Sequence, residues 1–124
     1  MEDPEGGAVL ALVADLIFAA RVRGAAPVGV AVRTTSRAAQ LKEEALMGVP
    51  RLILVDLAAR DEPVALVAWV RAQPSLLAVP VVAFGSHVDR ERLEAARAAG
   101  AHRVLARSAF VRELPELFRG NLAG

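Results

Sequence analysis

The chain has 124 residues, 55% hydrophobic and 23% charged, with a formal net charge of +1, which fits one globular domain and excludes a disordered segment. No apolar run reaches the roughly 18–20 residues of a bilayer span, and no basic segment precedes the longest one (8–20, interrupted by Asp15), so a cytoplasmic protein without membrane contact is expected. The absence of cysteine rules out disulfides and thiolate metal sites, and scattered arginines without an aromatic ladder give no reason to expect nucleic-acid binding.

In chain order, AVLALV (8–13) is an unbroken apolar run that reads as a first strand. A helix from Asp15 to about Arg23 follows, with Leu16, Ala19, Ala20 and Val22 as its apolar face. PVGVAV (27–32) reads as the second strand. Ser36 is placed to cap a helix over RAAQLKEEALMG, which Gly48 and Pro50 end. RLILVDL (51–57) is the third strand, and Asp61 and Pro63 open a helix over VALVAWVRAQ with Pro74 beyond its end. Trp69, spaced with Leu66, Val67 and Val70, reads as core or as the edge of a packing surface.

PVVAF (80–84) is the fourth strand. Asp89 can cap RERLEAARAAG, with Gly100 in the left-handed position after it. HRVLA (102–106) is the fifth strand, and Ser108 to Phe118 reads as a last helix that Pro115 should break, kink or restart. Both ends, MEDPEGG and RGNLAG, are expected to fray. Continuous Val- and Leu-rich runs suit strands covered on both faces, and strict alternation with helices gives an α/β, three-layer doubly wound sandwich around a parallel five-stranded sheet.

Chemistry in such sheets collects at the carboxyl ends of the strands. Asp15 follows the first strand, Asp56 ends the third, Gly85 and Ser86 follow the fourth, and Arg107 follows the fifth. With strand order 2-1-3-4-5 these residues converge. Two carboxylates can hold magnesium and an arginine can hold a phosphoryl group. Each residue also has a plainer reading: Asp15 and Asp56 as caps or loop carboxylates, Arg107 as an ion-pair partner of Asp56, Ser86 as the start of a capping box with Asp89. His87 and His102 lie fifteen residues apart without a metal-ligand pattern, so neither is expected to bind metal.

The stretches PVVAFGS and RLEAARAAGAHRVLARSAF, with Asp56 at the end of the third strand, resemble the receiver domain of bacterial response regulators from about Ala8 to Phe118. The resemblance implies a flavodoxin-like receiver fold with order 2-1-3-4-5 and Asp56 at the phospho-acceptor position. It implies Mg²⁺, weakly bound if at all, on Asp15, Asp56 and the backbone carbonyl of Ala58. Departures are several. Ala14 replaces one acid of the usual pair, Gly85 the usual Thr/Ser with Ser86 next to it, Arg107 the lysine, Val104 the switch aromatic and Ser108 the proline. A trans peptide is expected at 107–108.

Two functions follow from the resemblance. The first is an atypical response-regulator receiver in two-component or phosphorelay signalling, phosphorylated at Asp56 by a histidine kinase. The alternative is a pseudo-receiver, a protein-interaction module that works without phosphorylation. Partners are expected on the face of the fourth helix, fifth strand and fifth helix, with Arg90, Arg97 and Arg103 as contacts, and a homodimer is a further option. An enzyme is not expected, because GxGxxG, GxxxxGK[ST] and GxSxG are all missing. With no output domain in view, the chain either acts alone through partners or is part of a longer protein.

Overall fold

The computed structural model describes residues 7–122; the expected fraying concerns mostly residues 1–6 and 123–124, which lie outside them. The elements run β1 (Val9–Leu12), α1 (Leu16–Gly24), β2 (Val32–Thr35), α2 (Ala38–Met47), β3 (Leu52–Asp56), α3 (Pro63–Ala72), a 3-10 turn (Pro74–Leu76), β4 (Val81–Gly85), α4 (Arg90–Ala98), β5 (Arg103–Ala106) and α5 (Arg107–Phe118). All strand pairs are parallel, in the order β2-β1-β3-β4-β5.

The central strands β1, β3 and β4 are buried at every position, as their unbroken apolar runs require. Alternate residues feed two cores. Leu10, Leu12, Ile53, Val55, Val81 and Ala83 pack with Leu41, Leu66 and Val70 of α2 and α3. Val9, Leu52, Leu54, Val82 and Phe84 pack with Phe18 and Val22 of α1 and Phe110 and Leu114 of α5. Because successive strand side chains point to opposite faces, Asp56 falls on the side of Leu52 and Leu54, between α1 and α5.

Several local expectations are corrected. The second strand lies at Val32–Thr35 and not at 27–32: Pro27 to Val30 form a turn, closed by a 3.1 Å bond from Val30 N–H to the Pro27 carbonyl, with Gly29 at φ 89°. As an edge strand β2 is only partly covered, so a run of apolar residues does not mark it. On α1, Leu16 and Ala20 are exposed, and Phe18 joins Ala19 and Val22 on the buried face.

Ser36 does not cap α2. Arg37 occupies the cap position, and Asp61 supplies the oxygen, accepting from Ala38 N–H at 2.6 Å. Glu62, at φ 52°, therefore precedes Pro63 of α3 without a side-chain bond. Asp89 does cap α4, and Gly100 has φ 109°. Pro115 neither breaks nor restarts α5. It sits on the exposed side, while Phe110, Leu114, Leu117 and Phe118 hold the helix against the sheet.

Candidate functional site

Asp56 is the one buried charged side chain among the described residues, with no exposed surface. A carboxylate at that depth must find donors. Its Oδ1 accepts from Ala58 N–H at 2.9 Å and from Arg107 Nη2 at 3.2 Å, and its Oδ2 accepts from Ala14 N–H at 3.4 Å. Three elements converge on it: the loop after β1, its own loop after β3, and the start of α5.

Arg107 is held as firmly as its partner. β5 passes straight into α5, so the first helical residue carries the guanidinium. That group lies 4.6 Å from the Phe18 ring centre and 5.6 Å from that of Phe84, and Phe84 stacks on Phe110 at 3.8 Å. A planar, weakly hydrated cation suits such an aromatic seat better than an ammonium would. The Arg107 side chain keeps 38% exposure. No cis peptide occurs among the described residues, so the 107–108 bond is trans.

The other sequence-derived candidates are not drawn in. Asp15 is exposed and turned to its own helix, where Oδ1 accepts from Ile17 N–H at 2.7 Å and Phe18 N–H at 3.0 Å. The Ser86 hydroxyl accepts from Val88 N–H at 3.4 Å within its own loop. A Cβ added at Gly85 would stand 3.2 Å from Leu57 Cβ and 3.7 Å from Leu93 Cδ2, so a side chain there needs Leu57 to give by a few tenths of an ångström. Val104 is partly buried against the core beneath α4.

This donor set does not fit a divalent cation. Both Asp56 oxygens already face N–H donors, Asp15 is committed to its cap, and a guanidinium stands where a cation would be repelled. Among the described residues no group of three or more His, Asp or Glu gathers elsewhere either.

Two features of the site lie outside the sequence expectations. Phe18 forms part of the Arg107 seat; its helical spacing with Val22 was the signal. Arg92 of α4 reaches the Leu57 carbonyl at 2.6 Å, tying α4 to the loop after Asp56, and no local pattern announces it. Away from the site, at the amino ends of β4 and β5, His102 Nδ1 accepts from Val81 N–H at 2.9 Å; partial desolvation, and then the Arg71 guanidinium, push its pKa below the ordinary histidine value.

A parallel sheet in this order with its flanking helices has counterparts among solved structures. The chemotaxis response regulator CheY4 of Vibrio cholerae superposes with TM-score 0.78 at 18% identity, over 93% of this chain and 98% of that one. The chain has the fold of a response regulator receiver. The receiver domain of NtrX from Brucella abortus gives 0.76 at 21% identity over 92% and 97%. The Mn(2+)-bound form of response regulator Rcp1 gives 0.71 at 15% over 92% and 90%. No protein-family model and no curated protein matches the chain.

Proposed function

We propose that this receiver fold serves two-component-type signalling as a protein-interaction module that works without phosphorylation, with Asp56 as the fixed counter-ion of Arg107. The observation that carries this reading is the burial of the Asp56 carboxylate together with the engagement of both its oxygens. Phosphoryl transfer is catalysed by positioning and charge neutralisation around an accessible nucleophile in line with its donor. Here the nucleophile has no open face, and its neutralising cation is already in place. The face of α4, β5 and α5 supports the partner side of the reading. It contains a sheet edge, and Arg90 there has no ion pair among the described residues, whereas Arg97 pairs with Glu94 and Arg103 with Glu113. A signalling protein or a second copy of the chain would dock there.

A second reading has its own support in the strand-end position of Asp56 and the half-exposed Arg107 beside it. In it, a histidine kinase phosphohistidine gives up its P–N bond as an Asp56 oxygen forms a P–O bond, and Arg107 follows the phosphoryl group. Incubation with acetyl phosphate and magnesium, read by intact mass, separates the two. The module reading expects no mass gain and no amide shifts near Ala58 or Arg107 with beryllium fluoride. A gain of one phosphoryl group that Asp56→Asn abolishes establishes the phospho-acceptor instead.

A further inference from the structure

A groove of about 710 Å³ runs between α1 and the junction of β5 with α5, on the outer side of Arg107. It plays no part in the reading above, and its lining is selective. No carboxylate lines it, while Arg21 and Arg107 both do. Arg21 makes no ion pair among the described residues, and Arg107 gives Asp56 a single Nη2 donor, leaving the rest of its fork without a protein acceptor. A guanidinium fork with unused N–H groups binds tetrahedral oxyanions through paired charge-assisted bonds.

Further donors come from α5. The twelve-residue helix has Ala106 at its cap position and no side-chain oxygen on its first amides, so those N–H groups are open to a ligand acceptor beside Arg107. The exposed hydroxyl of Ser108 lines the same end of the groove, with Ser86 and His87 on the opposite lip. Phe18 and Val111 make the wall apolar. A bare inorganic anion would satisfy the donors and leave that wall uncovered.

We propose that the groove binds a phosphomonoester with an apolar body of aromatic size. The phosphate sits on Arg21, Arg107 and the amino end of α5, and the body lies on Phe18 and Val111. The site uses the donors that Arg107 does not give to Asp56, so it rests on the reading in which Arg107 stays paired with Asp56, which the acetyl phosphate experiment tests separately.

Phenyl phosphate titrated into the ¹⁵N-labelled full chain tests this. Saturable shifts are expected at the amides of Ser86, His87, Ser108 and Ala109. Arg21→Ala and Ser108→Ala, both at exposed positions, should each weaken binding by about fivefold or more. Inorganic phosphate should bind about tenfold more weakly for want of the apolar contact. Shifts that never saturate, or that map away from the groove, overturn the site. An Arg21→Ala variant that binds as tightly as the parent overturns the phosphate placement, and equal affinity for inorganic phosphate overturns the apolar body.

Discussion

Asp15 and Asp56 stand at or just beyond the carboxyl ends of two adjacent parallel strands, yet they do opposite things. Asp56 is fully buried and joins three parts of the chain through Ala14, Ala58 and Arg107. Asp15 is exposed and speaks only to the first turn of its own helix. Topology delivers a carboxylate to the rim of the sheet; the donors that surround it decide what it does there. Two acids on neighbouring strands hold one ion together only if both turn inward, and here Asp56 does while Asp15 turns to its own helix.

The sharpest test of that contrast is the cost of removing each carboxylate. Asp56→Ala leaves two part-buried N–H groups and a guanidinium without the acceptor they share. Discounted for the half-exposed arginine, the loss should be about 2–3 kcal/mol in urea unfolding. Gly85→Thr forces Leu57 to yield and should cost about 2 kcal/mol by overpacking; if it is neutral, Leu57 has room that the 3.2 Å approach denies. Asp15→Ala removes an exposed cap and should cost about 1 kcal/mol. A loss at Asp15 as large as that at Asp56 would end the distinction between them.

The smallest effect concerns pH. His102 has a folded pKa below its unfolded value of about 6.5, so the unfolded chain takes up the proton first. Its contribution to stability is complete above that value and is lost as pH falls through it toward the folded pKa. Unfolding free energies measured from about pH 8 downward should show this decline, and His102→Gln should flatten it. A slope unchanged by the substitution would remove His102 as its source.

Much of the fold was legible because β1, β3 and β4 are covered on both faces and leave unbroken apolar runs. The edge strand β2 was not, since Val32–Thr35 needs little apolar character and most of the more apolar 27–32 lies before it, with Pro27 to Val30 as a turn. At the site, the meeting of Asp56 and Arg107 was open to sequence reasoning because strand-end positions and topology fix both. The direction of Asp15 was not, because one aspartate can cap or coordinate from the same place. Asp61 and Arg92 act across 23 and 35 residues, where no local pattern reaches.

The contact between Gly85 and Leu57 bears on how such a domain could change over generations. Any side chain at position 85 meets Leu57 first, so a hydroxyl-bearing residue fits there only where Leu57 gives way by a few tenths of an ångström. A smaller residue at 57 would ease that contact, and on its own it would open a cavity in the core. The two positions are therefore coupled, and the order in which they change matters as much as the number of changes.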